Sequence, residues 1–269
     1  MMDDKDLLSR LPRQELVKFF EEQGLRPDSI QYLLSKTDMS REAILRAIDA
    51  GRIFIHPFKM ENVGTAQYDV SLGPYFFREN KTPGMVNVYN PYDEEHVRRV
   101  WGTEWAEAEI LGDWRMRNKH PVLKNIPDDE RVIWLDPGET ILAHTDEFIG
   151  GADNTVTTMM KARSSMGRNF IEVCKCAGLG DVGYCNRWTM EITNNSQRYQ
   201  IPLVVGRRMA QLIFLETEGI RQDDDDYTAD GKYQTTQDHK KMMDDWTPLG
   251  MLPKMYNDRE VRALEDKLK

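Results

Sequence analysis

Hydrophobic positions near the start of the chain recur with a helical period. Apolar side chains there repeat every three to four residues, which is the spacing of one face of an α-helix. Asp28 and Ser40 are candidate N-terminal caps, and Gly51 marks a helix end. Residues 5–50 are therefore predicted to form three short helices. The helices before residue 39 are too small to be stable alone, so we expect them to pack on the main domain or on a neighbouring subunit.

From Ile53 onward the pattern changes to that of β-strands. Short runs of β-branched and aromatic residues alternate with turn signals such as Pro137-Gly138 and Gly150-Gly151. The predicted strands are 66–77, 132–135, 140–148, 155–162, 169–173, 187–193 and 209–215. Because no helices alternate with most of these strands, the pattern favours an antiparallel sandwich or barrel over a doubly wound parallel sheet.

Residues 80–130 interrupt the strands. Val97, Trp101 and Trp105 follow one another at helical spacing, which predicts a helical insertion between two strands. Trp101, Trp105 and Trp114 are candidates for stacking on a nucleobase, but tryptophans at helical spacing more often belong to a hydrophobic core. The core interpretation is favoured.

Composition limits the class of protein and its partners. The 269 residues are 40% hydrophobic and 30% charged, as in soluble globular proteins. No apolar run approaches the roughly 20 residues of a membrane helix, and the acidic start of the chain does not resemble a signal peptide, so we expect a cytoplasmic protein with no membrane partner. The net charge of −9 argues against nucleic acid as a partner, since backbone binding needs a basic face. A nucleotide bound by a local basic cluster remains compatible.

The cysteines and a late acidic run are candidate metal ligands. Cys174, Cys176 and Cys185 do not have the Cys-x2-4-Cys spacing of zinc sites, and the chain lacks the His-x-Glu and Pro-Cys-x-x-Cys motifs of zinc deaminases. Small buried residues are the favoured interpretation of the cysteines, and no zinc is expected. The four aspartates at 223–226 suit a hard cation, but a solvated hinge is favoured.

The strongest chemical signal is the segment R-S-S-M-G-R at 163–168. Two hydroxyls between two guanidinium groups suit a polyphosphate. Asp181 follows at a turn, and Glu191 lies ten residues later within a predicted strand. A carboxylate in that position is a candidate general base.

These motifs resemble those of the dCTP deaminase family, which shares its fold with the dUTPases. The family pattern A-R-S-S-x-G-R, then A-G-x-x-D-x-G-Y, then an acidic residue is similar to 162–168, 177–184 and Glu191. Further similarity covers the segments 44–57, 68–73, 205–212 and 231–234, so that about 200 residues take part.

The resemblance implies a mainly β fold, a dUTPase-like distorted jelly-roll β-barrel, assembled as a homotrimer with sites between subunits. On this basis residues 1–38 are an N-terminal helical extension, 39–219 the barrel domain with its insertion at about 80–130, and 220–269 the C-terminal lid and tail. Two departures stand out. Gly183 lacks the proline that often precedes it in the family, and Gln237 is displaced by one position from the phosphate-contacting glutamine.

The resemblance also implies residue roles. Glu191 would activate water for attack at cytosine C4 without zinc. Ser164 and the backbone of Ala177 would hold that water, and Arg168 would orient Glu191. Asp181 matches the water-activating aspartate of dUTPases. The implied substrate-binding residues are Arg163, Ser165, Tyr227, Lys232 and Gln237. Mg²⁺ would enter with the nucleotide, bound mainly by triphosphate oxygens and water.

Deamination of dCTP to dUTP and ammonia is the first functional hypothesis, with a role in pyrimidine deoxynucleotide supply. The alternative is a bifunctional enzyme that continues to dUMP and pyrophosphate, because Asp181 and Glu191 are both present. A dUTPase alone would not need Glu191. A catalytically silent nucleotide sensor is the remaining hypothesis, and the intact motif disfavours it. dCTP and dUTP are the expected partners, and dTTP is a candidate inhibitor.

Overall fold

The computed structural model of the chain describes residues 13–24, 38–80, 88–175, 177–217, 219–220, 227 and 231–268. Seven α-helices and twelve β-strands lie within these ranges. The helices are α1 (Arg13–Glu22), α2 (Arg41–Asp49), α3 (Glu94–Trp101), α4 (Leu111–Asn118), α5 (Ser164–Arg168), α6 (His239–Asp245) and α7 (Arg259–Leu268). The strands are β1 (Ile53–His56), β2 (Tyr68–Arg78), β3 (Ala106–Glu107), β4 (Glu109–Ile110), β5 (Arg131–Leu135), β6 (Thr140–Gly151), β7 (Val156–Ala162), β8 (Ile171–Glu172), β9 (Leu179–Gly180), β10 (Cys185–Asn194), β11 (Ile201–Val204) and β12 (Arg208–Glu216).

The main sheet is a curled antiparallel sheet. Its strand order is β8-β10-β6-β2-β12-β7-β9, with β1 also paired to β6 and β3 to β2. A smaller sheet has the order β11-β5-β4. Every strand pair is antiparallel. This architecture is the mainly β, barrel-like fold that the sequence predicted.

The core lies inside the curl of the main sheet. Tyr68, Leu72 and Phe214 are among its fully buried side chains, and Ile44 of α2 packs into the same cluster. Burying side chains of this size contributes about 1.5–3 kcal/mol each. Inside this apolar environment Glu147 is also fully buried, and one of its carboxylate oxygens accepts the backbone N–H of Ser71 at 2.8 Å.

Most predicted strands are confirmed, with ends that agree or are shifted by up to three residues. The predicted strand at 169–173 is shorter, because Phe170 adopts φ +66° and only Ile171–Glu172 pair with β10. Strand β11 was not predicted, because it is short and contains Pro202. The Ser40 cap of α2 is confirmed by its hydroxyl, which accepts the N–H of Ala43. The helix predicted from Asp28 and the acidic run 223–226 lie outside the described residues.

The insertion differs from the predicted pattern. The helix does not continue from Val97 to Trp105, because Gly102 ends α3 with φ +83°. Trp114 stacks on Trp134 with a centroid distance of 3.9 Å, and Trp101 packs beside a buried cluster, so the core interpretation holds for both. It is wrong for Trp105, whose exposed fraction is 41%.

The C-terminal segment packs on the outer face of the main sheet. Met242 of α6 lies in a cluster with Phe148 and Cys185, and Met251 lies in a cluster with Leu142 of β6. The first cluster joins the segment to β10, which carries Glu191, and the second joins it to β2 and β6. Among the described residues, no helix has the length and apolar character needed to cross a membrane.

Replacing Gly178 by alanine should destabilise the protein. A Cβ atom on Gly178 would lie 2.3 Å from the carbonyl oxygen of Met160, so the loop and β7 would have to separate. We expect the free energy of unfolding to fall by about 1–3 kcal/mol in urea denaturation. Gly250→Ala is the control, since its Cβ would meet no atom within 4 Å. Equal stability of the two variants would contradict the close approach.

Candidate active site

Most of the candidate residues lie on the stretch of chain from the end of β7 to β10, and Tyr227, Lys232 and Gln237 lie in the C-terminal segment. The chain leaves β7 through the short helix α5, pairs briefly as β8 with β10, and returns through β9 to β7. The turn at 181–184 then leads into β10, where Glu191 lies opposite Leu142 of β6. The three sequence motifs therefore follow one another along the chain, at α5, at the turn after β9 and on β10.

Glu191 is a half-buried carboxylate with an unsatisfied atom. Its Oε2 is buried and has no hydrogen-bond partner among the described residues. Burial raises the pKa of Glu191, while a hydrogen bond to its own backbone and the charge of Lys175 act in the opposite direction. A carboxylate with a raised pKa exchanges protons with a reacting group more readily near neutral pH. The environment thus suits a general base.

A strained loop lies close to Glu191. Cys174 and Lys175 both have left-handed backbones, with φ of +69° and +25°, and the N–H of Ala177 closes the loop on the carbonyl of Cys174 at 2.6 Å. Left-handed conformations at non-glycine residues are costly and cluster at functional sites. Lys175 was not identified from the sequence, because a lone lysine beside a motif carries no distinguishing pattern.

Two of the three cysteines lie within the described residues, and both are buried, as predicted. Cys174 and Cys185 are buried, and burial raises the pKa of each thiol to about 12, so both are protonated at neutral pH. Cys176 lies outside the described residues. Within the described ranges, no group of three or more His, Cys, Asp or Glu side chains is arranged to hold a metal ion.

In the segment 163–168, Arg163 contacts neighbouring residues through its side chain, whereas the other candidate side chains do not form polar contacts with described residues. Ser164, Ser165 and Arg168 are exposed, and their side chains form no hydrogen bond or ion pair with any described residue. Arg163 instead turns toward β12: its Nη1 donates to the carbonyl of Arg208 at 3.2 Å, and its Nε lies 3.8 Å from Asp69. Arg163 also lines a cavity of about 610 Å³ next to β11 and β12.

Residues 231–237 belong to the predicted lid, and they are docked on the turn that precedes β10. The side chain of Gln234, only 4% exposed, accepts the N–H of Cys185 at 2.7 Å and donates to the carbonyl of Gly183 at 3.1 Å. Asn186 Nδ2 donates to the carbonyl of Tyr233 at 3.1 Å, and Gln237 Nε2 donates to Gly183 at 3.2 Å. Neither Gln234 nor Asn186 was identified from the sequence as a functional residue. Their role depends on contacts between segments about 50 residues apart.

Other lid residues approach the same turn. The ring of Tyr227 contacts that of Tyr184 edge-to-face at 5.0 Å. The pKa of Tyr227 is raised to about 12, mainly by burial and in part by the charge of Asp181. Lys232 forms an ion pair with Asp258, so its ammonium group already has a partner in this chain.

The structure therefore arranges the candidate residues in three groups. Glu191 lies with the loop that contains Ala177. Asp181 lies with Tyr227 and Gln237. The third group, around α5, is Arg163, Ser164, Ser165 and Arg168, of which only Arg163 contacts a neighbouring element through its side chain. Within the described residues, no hydrogen bond or ion pair joins the side chains around α5 to Glu191 or Asp181.

The main sheet is antiparallel, and the candidate catalytic residues lie on it or on the segments that join its strands. Residues 39–217 match the family described as dCTP deaminase-like. This match covers well over half of the chain, and the chain belongs to that family.

Several curated relatives share the name "dCTP deaminase, dUMP-forming". The relative from Methanosphaerula palustris is 30% identical over 191 residues, covering 71% of this chain and 87% of its own. That from Methanobrevibacter smithii is 29% identical over 179 residues, covering 65% and 78%. That from Thermobifida fusca is 26% identical over 180 residues, covering 66% and 77%. These names agree better with the bifunctional alternative than with release of dUTP.

Two solved structures are similar to parts of the chain. The crystal structure of 2'-deoxycytidine 5'-triphosphate deaminase from Agrobacterium tumefaciens has a TM-score of 0.45 at 16% identity, covering 67% of this chain and 49% of that one. The dUTPase of EIAV has a TM-score of 0.28 at 27% identity, covering 35% and 76%.

The buried charge of Glu191 predicts a pH-dependent effect on stability. Because its folded-state pKa is raised, the ionised carboxylate destabilises the fold at neutral pH, and this penalty is absent below the ordinary carboxylate pKa of about 4.3. Glu191→Gln should therefore raise the melting temperature relative to the parent at about pH 7.5 but not at about pH 4. The control is Glu172→Gln on the exposed side of β8. A stabilisation independent of pH would contradict this assignment.

The hydrogen bonds of Gln234 should hold residues 231–237 against the turn that precedes β10. In Gln234→Ala the N–H of Cys185 loses its acceptor, at a cost of about 1–3 kcal/mol if it remains buried. We expect faster hydrogen exchange at Cys185 and in residues 231–237. Thr235→Ala, which changes the exposed neighbour, should leave exchange at the parent rate. Unchanged exchange in Gln234→Ala would show that the lid is held by other contacts.

Proposed function

We propose that this protein converts dCTP to dUMP, ammonia and pyrophosphate in two hydrolytic steps. The observation that carries the proposal is the half-buried Glu191 carboxylate, with its unsatisfied oxygen, on the strand that follows the Asp181 turn. Membership in the dCTP deaminase-like family and the dUMP-forming names of its relatives support the same reaction.

In the first step Glu191 takes a proton from water as the oxygen attacks C4 of cytosine. The carboxylic acid delivers that proton to ring N3, which gives a tetrahedral intermediate. Glu191 then moves the proton of the new hydroxyl to the amino group, the C–N bond breaks, and ammonia leaves. Ser164 and the backbone of Ala177 hold the water, and Arg168 orients Glu191 and stabilises developing charge.

In the second step a water molecule attacks the α-phosphorus of dUTP and pyrophosphate leaves. Asp181 accepts the proton of that water. Arg163, Ser165 and Lys232 hold the phosphates, with Tyr227 and Gln237 completing the substrate contacts. Mg²⁺ bound to triphosphate oxygens would offset negative charge on the leaving group.

We propose further that the working form is a homotrimer. The side chains of Ser164, Ser165 and Arg168 are exposed and form no hydrogen bond or ion pair with any described residue. A site shared between subunits would bring Arg168 of one subunit to Glu191 of another. Lys232 would have to exchange Asp258 for phosphate as nucleotide binds.

Product analysis of two carboxylate variants tests the proposal. The protein is incubated with dCTP and magnesium, and ammonia and nucleotides are measured over time. The parent should form ammonia and dUMP in equal amounts. Glu191→Gln should lose about 10²–10⁴-fold in ammonia release while still hydrolysing added dUTP. Asp181→Asn should lose dUTP hydrolysis, and Glu172→Gln should match the parent.

Three results would contradict the proposal. Accumulation of dUTP without dUMP would identify a deaminase that releases its first product. Deamination by Glu191→Gln at the parent rate would remove Glu191 from the mechanism. Unchanged dCTP with the parent protein would favour the nucleotide-sensor hypothesis.

A further inference from the structure

A second cavity lies on the outer face of β10, beneath the C-terminal segment. Its volume is about 520 Å³, within the roughly 300–1,000 Å³ range of small-molecule sites. Its lining includes Arg187 and Thr189 of β10, Tyr233 and Gln234 of the lid, and Trp246 after α6. Glu191, Asp181 and the serines of α5 do not line it. Much of its wall comes from residues beyond the matched family region 39–217.

Arg187 is the unusual residue of this cavity. Its guanidinium group lies between two aromatic rings, 4.8 Å from the centroid of Phe148 and 4.6 Å from that of Trp246. Its Nε is buried without a partner, and the guanidinium group forms no hydrogen bond or ion pair with any described residue. Buried cations are normally paired, because an unpaired one loses its hydration without compensation.

The two rings explain how the cation is held but not what it binds. Cation–π contacts compensate part of the desolvation and fix the plane of the guanidinium group. They leave its in-plane N–H donors without acceptors. Asp146 and Glu147 favour the charged form from a distance, but neither forms an ion pair with Arg187. A planar set of unused donors matches a phosphate or carboxylate group.

The cavity wall is cationic although the protein is acidic. Arg98, Arg187, Lys241 and Lys254 line it, against the carboxylates Glu94 and Asp245, in a chain of net charge −9. Glu94 is already paired with Arg98 at 2.7 Å, and Lys254 donates to the carbonyl of Lys232 at 2.7 Å. Among the described residues, the side chains of Arg187 and Lys241 remain without hydrogen-bonding or ionic partners.

We propose that this cavity binds a phosphate-bearing anion of about nucleotide size. Arg187 and Lys241 hold the phosphate, and the aromatic side chains of Tyr233 and Tyr256 in the wall provide surface for a ring. Because Tyr233 and Gln234 belong to both the cavity and the docked lid, an occupied cavity favours the docked lid. The site does not depend on the reaction at Glu191.

A matched pair of lysine variants tests the proposal. Lys241 lines the cavity, whereas its neighbour Lys240 on the same helix does not. The full chain is titrated with AMP, which is neither substrate nor product of the proposed reaction, and with inorganic phosphate, with tryptophan fluorescence as readout. Lys241→Gln should weaken AMP binding about 10-fold and Arg187→Gln about 10- to 100-fold. Lys240→Gln should bind as the parent does.

Further variants separate this cavity from the phosphate motif. Arg163→Gln should leave AMP binding unchanged, and AMP should slow hydrogen exchange in residues 233–236 of the parent but not of Lys241→Gln. Absence of AMP binding to the parent, equal affinities of the parent, Lys241→Gln and Lys240→Gln, or loss of binding only in Arg163→Gln would each overturn the proposal. If Arg187→Gln does not fold, the lysine pair decides. The binding test does not depend on the proposed function, because AMP binding is measured whether or not the protein deaminates dCTP.

Discussion

The antiparallel pairing of β10 with β6 is the interaction on which the rest of the structure depends. It extends from Cys185 opposite Gly150 to Thr193 opposite Thr140, with a bulge between Arg187 and Thr189. Every backbone group in such a ladder is positioned by its partner strand, so side chains on the outer face have little freedom. The same pair carries Glu191, Arg187 and the contacts of the C-terminal segment. A change in this register would displace Glu191, Arg187 and the contacts of the C-terminal segment.

Two charged side chains on β10 each bury a polar atom that has no hydrogen-bond partner among the described residues. Glu191 has a buried oxygen without a partner, and Arg187 has a buried nitrogen without one. Each lowers stability, since neither recovers the hydration lost on folding. Proteins retain such groups where a substrate or ligand supplies the missing partner. The proposed substrate at Glu191 and the proposed anion at Arg187 would each supply such a partner on the outer face of β10.

The C-terminal segment contacts β10 at two points, the turn before Cys185 and the side chain of Arg187. Gln234 and Asn186 join residues 233–234 to the turn before β10, and Trp246 covers Arg187 from the other side. The lid is thus held by neutral hydrogen bonds and aromatic packing, while its cation Lys232 is paired with Asp258.

The sequence by itself determined the class of fold and the identity of the motif residues. Alternating apolar positions identify the long strands, because one face of each strand is buried, and the segments at 163–168 and 181–191 follow from residue type and spacing. Short β11, the end of α3 at Gly102 and the exposure of Trp105 were not predictable, because local propensity there is weak or is overridden by packing. Only the tertiary structure decided that Glu191 is desolvated, that Gln234 fastens the lid, that Lys232 pairs with Asp258, and that Arg187 is enclosed by Phe148 and Trp246. Each of these depends on contacts between segments far apart in the chain, and the burial and pKa of a side chain are set by such neighbours rather than by its own identity.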